Sequence, residues 1–299
     1  MINEILIIGC GLIGSSLLKG IYSKKIARNI FIHEKSKKNI SIIKKFKIPH
    51  TILNKLEENF VNFDMVIFCT PMSEYKKNIL KLNKSLTSKT IVTDVGSTKV
   101  LTSQLVRKML NKNVSWIPGH PISGSEVSGP KYGKKDLFKN KWCVLIKDKK
   151  VNKTHLFKLK KFWEKLGAKV VMMDSKQHDL IFSITSHLPH LIAYNLVKTA
   201  TDFEKGKKFN LIKYSAGGLR DFSRIAASNE IMWRDIFFSN KINIITAINL
   251  FVKNLNSFKR DISRKKNNQI IKKLIDTKKV RKKIINLKQD IDKPDFGRF

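Results

Sequence analysis

The feature that most constrains this chain is the hexapeptide Gly9-Cys10-Gly11-Leu12-Ile13-Gly14, set between an apolar run, Ile5–Ile8, and an amphipathic stretch, Leu12–Tyr22. A strand that turns directly into a helix through three glycines has few folds open to it. The first glycine permits the tight turn, the second lets a pyrophosphate approach the backbone, and the third lets the helix pack close to the strand. The helix N-terminus then presents free N–H groups and a positive dipole end to phosphates. Glu34 lies 20 residues beyond Gly14, at the end of the second predicted strand, where a carboxylate would accept hydrogen bonds from ribose hydroxyls. That favours NAD, because a carboxylate repels a 2′-phosphate. Lys35, Ser36, Lys37 and Lys38 beside it could instead cradle that phosphate, so NADP stays open. Thr70-Pro71 follows the apolar run Met65–Cys69 at the carboxyl edge of the predicted sheet, where ligands sit in open parallel sheets. Pro71 also reads as a simple helix start. The expected cofactor set is Gly9, Gly11, Leu12, Ile13, Gly14, Glu34, Thr70 and Pro71; without a ligand, the motif is a tight strand–helix turn.

The same alternation continues. Apolar runs at Ile30–His33, Met65–Cys69, Thr90–Thr93, Val114–Ile117, Trp142–Ile146 and Val170–Met173 are separated by helical patterns at Lys37–Phe46, Glu74–Leu82, Lys99–Leu110 and Thr154–Leu166. Continuous apolar strands imply a sheet covered on both faces, hence a doubly wound, mostly parallel Rossmann-type α/β fold. After Asp174 the strand signals stop, and helical stretches follow at Gln177–Ser186, Pro189–Thr201, Gly217–Asn229 and Ile231–Phe258. This predicts a dinucleotide-binding domain over 1–174 and an all-helical substrate-binding and dimerisation domain over 175–299. Ile231–Phe258 is too apolar for a lone surface helix and should pack in a bundle or at a subunit interface. A helix is expected in Ile270–Leu287 and a loose end at Asp290–Phe299.

Composition narrows the partners. The formal net charge is +37, but the 60 Lys and Arg residues are spread along the chain and no aromatic-interleaved basic motif or zinc spacing stands out. This reads as solvated lysine faces that help recruit anionic small molecules, not as nucleic-acid binding. The three cysteines, Cys10, Cys69 and Cys143, form no CxxC pair, which fits reduced thiols in a cytoplasmic protein. No uninterrupted apolar run approaches the roughly 18 residues of a membrane span, and Ile5–Ile8 runs straight into glycines, unlike a targeting segment. No membrane association and no metal are expected.

Three more segments are rich in functional residue types: Asp94-Val95-Gly96-Ser97-Thr98-Lys99; Gly119-His120-Pro121-Ile122-Ser123-Gly124-Ser125-Glu126; and Ser186-His187-Leu188-Pro189-His190, with Arg220-Asp221, Arg224-Ile225-Ala226 and Met232-Trp233-Arg234-Asp235 further on. At these residues, over nearly its whole length, the chain resembles the prephenate/arogenate dehydrogenases, also called cyclohexadienyl dehydrogenases. Members often carry a fused chorismate mutase or regulatory domain; this chain resembles the minimal catalytic form, and Pro294-Asp295-Phe296-Gly297-Arg298 looks like the ending of some members.

The resemblance implies oxidative decarboxylation of prephenate or arogenate. A ring hydroxyl loses its proton, its carbon gives hydride to the nicotinamide, and CO2 leaves as the ring becomes aromatic. It implies His120 as the base, an imidazole suited to take that proton, with shaping of a Gly/Pro loop as the bland alternative. Ser97 would orient His120 or the hydroxyl, or cap the helix Lys99–Leu110. Arg224 would hold the ring carboxylate with its planar fork, or make a surface ion pair. His187 and His190 would bind substrate, be structural, or ligate zinc, although no nearby ligand completes a zinc set. Glu126, Arg220 and Asp221 would form an ion network, with Trp233 contributed by a partner subunit as part of a gate, or serving as an ordinary core aromatic. The competing readings are another two-domain hydroxyacid dehydrogenase, in which the Gly-His-Pro and Arg-Ile-Ala segments have no reason to occur, and a basic nucleic-acid-binding protein.

Overall fold

The computed structural model describes residues 2–57, 61–148, 151–207, 210–287 and 289; the end expected to be loose, Asp290–Phe299, lies outside them. Strands β1 (Ile2–Ile8), β2 (Ala27–His33), β3 (Thr51–Ile52), β4 (Met65–Phe68), β5 (Ile91–Asp94) and β6 (Ser115–Trp116) form one sheet. All its pairings are parallel, in the order β3-β2-β1-β4-β5-β6. The chain winds outward from β1 to one edge, returns to the centre and winds to the other. The reversal between β1 and β4 opens the crevice in which such sheets bind ligands.

Side-chain alternation divides the sheet into two cores. Ile5, Ile7, Met65, Ile67 and Ile91 pack on one face against Leu17, Leu18 and Ile21 of α1 (Leu12–Ser23) and Leu159, Phe162 and Trp163 of α5 (Lys153–Lys165). Leu6, Ile8, Val66, Phe68 and Val92 pack on the other, against Tyr75, Ile79 and Leu82 of α3 (Tyr75–Leu82) and Val106 of α4 (Val100–Met109). Each fully buried Leu or Ile contributes roughly 1.5–3 kcal/mol. This is why the strands read as unbroken apolar runs. Helix α2 (Lys37–Lys44) follows β2.

Two strands predicted to extend the main sheet do not. Trp142–Ile146 (β8) and Lys169–Met173 (β9) form a separate three-stranded sheet with Gly119–Pro121 (β7), which is antiparallel to β8. His120 therefore stands on a strand, opposite Val144, and not in a loop beyond one.

From Ser175 the chain is helical. α6 (Ser175–Phe182), a π-helical segment (Ser183–His187) and α7 (Leu188–Glu204) make one continuous run. By length and composition alone this run could cross a bilayer, although histidines and other polar groups keep it from being an unbroken apolar stretch. Then come α8 (Gly217–Ala226), α9 (Glu230–Ser239), α10 (Lys241–Ser263) and α11 (Asn267–Asn286). The single helix expected over Ile231–Phe258 breaks at Asn240, whose backbone leaves helical geometry (φ −111°, ψ 29°). The helical part has few buried apolar residues and many exposed ones, among them Leu180, Ile184, Leu196, Phe203, Leu250 and Leu255. It is tied to the sheet domain by Asp235 Oδ2, which accepts from Ser73 N (3.0 Å), and by Thr98 Oγ1 against Ser239 Oγ (2.8 Å).

Candidate active site

The glycine turn is held by contacts that leave no room for side chains. Gly9 has φ +86°, and a Cβ there would lie 2.8 Å from Thr70 Cγ2. A Cβ on Gly14 would lie 2.1 Å from Gly9 O, so only glycine lets α1 approach the turn. Gly11 differs: a Cβ there would meet nothing within 4 Å. That open space would admit a pyrophosphate close to the backbone, which the second glycine of such a motif allows. Among the described residues no side chain caps α1, so the first-turn amides, including those of Leu12 and Ile13, are open to an anionic ligand.

Glu34 joins β2 to the turn: Oε2 accepts from Cys10 N and Oε1 from Ser36 N, both at 2.9 Å. It lines a cleft of about 210 Å³ with Gly9, Lys35, Thr70, Pro71 and Asn78. Thr70 Oγ1 and both polar side-chain atoms of Asn78 are buried with no partner among the described residues. Buried polar atoms need partners, and a nucleoside would supply them. Lys35, a candidate for a 2′-phosphate, is paired with Glu74. Two carboxylates at this cleft favour ribose hydroxyls over a phosphate, hence NAD. The cysteines are free, and burial pushes the thiols of Cys10 and Cys143 far up, leaving them as core residues.

At the end of β5, Asp94 is wholly buried and accepts from Lys99 Nζ (2.9 and 2.7 Å), Gly96 N (3.1 Å), Gly119 N (3.0 Å) and Tyr75 OH (3.1 Å). Lys99 Nζ also donates to Gly119 O at 2.6 Å. This buried pair clamps the first residue of β7 and so fixes the neighbouring His120. The His120 ring Nδ1 lies 2.8 Å from His178 Nε2, and His178 Nδ1 lies 2.8 Å from Asp179 Oδ1. Phe182 packs against both rings. Burial, then the charges of His178, Lys99 and His187, hold His120 well below its ordinary value, so it is neutral at neutral pH.

Among the described residues Ser97 bonds neither to His120 nor to the start of α4. It does not cap the helix: Asp179, reaching from α6, accepts from Lys99 N (2.8 Å) and Val100 N (2.9 Å). A charged carboxylate is a stronger cap than a serine hydroxyl. His120 Nδ1 is taken by His178, which leaves Nε2 as the open ring nitrogen. Ser97 is half-buried, with its backbone beside His187.

His187 is fully buried on the π segment; its Nδ1 accepts from Asn240 Nδ2 at 3.1 Å, while Nε2 has no partner among the described residues. Burial lowers it to about 4. His190 donates from Nδ1 to Ser186 O at 2.9 Å and stacks on Trp233 with ring centroids 3.9 Å apart. This contact lies within one chain. Arg224 lies 3.5 Å from Glu126 and 3.7 Å from Asp221, too long for strong bonds, and its Nε is buried without a partner among the described residues. The Arg224–Glu126 pair does not bond to the histidine group, and Arg220 is exposed.

Sequence reasoning missed His178, Asp179, Asn240 and the buried hydroxyl of Ser123, and gave Asp94 and Lys99 no role. Asp94, Lys99 and Ser123 sit inside motifs already singled out. His178-Asp179 had a local signal only as a His-Asp pair preceding the other two histidines.

Residues 24–172 match the family model for the nucleotide-binding domain of prephenate dehydrogenase, and residues 174–276 match that for its dimerization domain. A cyclohexadienyl dehydrogenase of Zymomonas mobilis is 27% identical over 97% of this chain and 98% of its own length. A prephenate dehydrogenase of Lactococcus lactis is 31% identical over 93% of this chain and 77% of its own length. The crystal structure of Aquifex aeolicus prephenate dehydrogenase, with hydroxyphenyl propionate and NAD+ bound, superposes with a TM-score of 0.89 at 33% identity, covering 95% of this chain and 99% of that one. With the glycine turn, the buried histidine and the helical second part in place, these matches show that the chain belongs to the prephenate dehydrogenase family.

Proposed function

We propose that this chain oxidises and decarboxylates prephenate, arogenate or both, using NAD, in the biosynthesis of tyrosine. The observation that carries the reading is His120, a buried neutral imidazole fixed on β7 beside the carboxyl edge of a dinucleotide-binding sheet. A neutral imidazole accepts the proton of the ring hydroxyl as its carbon is oxidised. The Nε2 atom has no hydrogen-bond partner among the described residues and is the atom to do so. Bound in the cradle of Gly9, Gly11, Leu12, Ile13, Gly14, Glu34, Thr70 and Pro71, the nicotinamide cofactor supplies the hydride acceptor.

Arg224 takes a substrate carboxylate in place of its long contacts to Glu126 and Asp221. Its planar fork matches that anion. The unpartnered Nε2 of His187 donates to a polar substrate group, His190 and Trp233 wall the ring, and Ser97 lines the site beside His187. The proposed division is a cofactor domain over 1–174 and a helical substrate and dimerisation domain over 175–299. The apolar helical surface then pairs with a second copy of the chain in a cytoplasmic homodimer, which also explains why Ser175–Glu204 is apolar without spanning a membrane. The spread of lysines calls for no nucleic-acid partner, and no metal is required. The test is a two-by-two turnover matrix of prephenate and arogenate against NAD and NADP. Turnover of either substrate, faster with NAD, is expected; no turnover in all four would overturn the reading.

A further inference from the structure

We infer that His178 and Asp179 are positioning residues that hold His120 in the one tautomer able to act as a base toward the site. The inference rests on the proposed role of His120, but its geometry stands independently. An ionised carboxylate can only accept hydrogen bonds. Asp179 Oδ1 accepts from Lys99 N at 2.8 Å and faces His178 Nδ1 at 2.8 Å, so His178 carries its proton on Nδ1. Neutral His178 then has a bare Nε2, and the 2.8 Å contact from that atom to His120 Nδ1 requires the proton on His120 Nδ1. His120 Nε2 is left as a lone pair.

The reverse chain would need a doubly protonated His178 or a protonated Asp179. Both are opposed by the surroundings. His178 is wholly buried, and that burial outweighs the raising effect of its bond to Asp179 and holds it below its ordinary value, with the Lys99 ammonium lowering it further. Asp179 is anchored as an ion by two backbone amides at the start of α4. The other groups facing His120 are Lys99 and Asp94, already paired to each other, the Cys143 thiol on β8, and His187 on the π segment. None of them competes for Nδ1.

When His120 takes the hydroxyl proton on Nε2, it becomes a cation whose Nδ1–H still points at His178, with the Asp179 carboxylate behind. No proton has to move along the chain. The carboxylate stabilises the imidazolium through the intervening ring, and the two bonds keep the imidazole from rotating. The same logic orients the histidine of a Ser-His-Asp triad, with one imidazole inserted between acid and base.

Two measurements test this. Long-range 15N–1H correlation of the imidazoles in the whole protein, with His120 assigned by its loss in His120→Asn, should show the Nδ1–H tautomer; the Nε2–H tautomer would overturn the inference without touching the assigned activity. The kinetic arm compares His178→Leu with His178→Gln. Leucine leaves His120 Nδ1–H without an acceptor, whereas a glutamine amide can accept from it and donate to Asp179. His178→Leu should lower kcat on the order of 10–100-fold with KM for substrate and NAD within about twofold, and His178→Gln should recover most of it. A leucine variant as fast as wild type, or a glutamine variant no faster than leucine, would overturn the inference. Loss of all turnover in the wild type would instead count against the proposed function and leave the tautomer result standing.

Discussion

Replacing Lys99 by methionine should be the most revealing single change to the scaffold. Both partners of the Asp94–Lys99 pair have fully buried side chains, and Lys99 Nζ makes three short bonds, two to Asp94 and one to Gly119 O. Methionine fills most of the volume but strands a carboxylate, which keeps only Gly96 N, Gly119 N and Tyr75 OH. Removing one partner of a buried pair costs about 3–5 kcal/mol. At about 2–4 °C per kcal/mol for domains of this size, the apparent melting temperature should fall by about 10 °C. The double variant Asp94→Asn/Lys99→Met removes the stranded charge and should regain several degrees. Because Lys99 also anchors Gly119, Lys99→Met should reduce kcat at least about tenfold through displacement of His120. Differential scanning fluorimetry and steady-state kinetics on the three proteins provide the assay. A single variant within about 2 °C of wild type, or a double variant no more stable than the single, would refute the reasoning.

Other expectations follow from the same geometry. His120→Asn should lower kcat about 100-fold or more while the NAD dissociation constant, read by calorimetry, stays near wild type; unchanged kcat would remove His120 from the chemistry. Gly11→Ala should fold with a wild-type melting temperature yet bind NAD at least about tenfold more weakly, whereas Gly14→Ala should fail to fold stably because its Cβ would fall 2.1 Å from Gly9 O; equal NAD affinity in Gly11→Ala and wild type would contradict the cradle. Acid should destabilise the protein early. Burial lowers folded His187 from the ordinary imidazole value of about 6.5 to about 4, so between these values the unfolded chain takes up a proton the native state refuses. Stability is therefore lost as pH falls through that window, by about 3 kcal/mol from this group alone. His187→Gln should flatten the drop in melting temperature between about pH 7 and pH 4, and an unchanged slope would count against it.

Much of this molecule is legible in its sequence. The glycine turn and the unbroken apolar runs imply the parallel sheet because each strand residue is buried on one face or the other. What escapes is whatever depends on distant partners. β7 is three residues long and contains a proline, so no periodicity marks it, and its pairing with β8 is visible only in three dimensions. Ser97 has the composition of a cap, but the carboxylate of Asp179, 80 residues beyond Lys99 along the chain, takes the place. His178 and His187 lie nine positions apart, which on an unbroken α-helix puts them about 180° apart, on opposite faces. The π segment between them absorbs about one extra residue and turns both toward the same site. Asn240 reads as one polar residue in an apolar stretch; its helix break is tied to two hydrogen-bonding neighbours, Asp179 O and His187 Nδ1.

The most direct test of the central claim is the stoichiometry of a single reaction: purified protein, prephenate and NAD, with NADH followed by absorbance and CO2 by gas evolution. The arrangement of the cofactor cradle, His120 and Arg224 predicts equal amounts of NADH and CO2 per prephenate consumed, with 4-hydroxyphenylpyruvate as product. NADH without CO2, or consumption of prephenate without NADH, would contradict it.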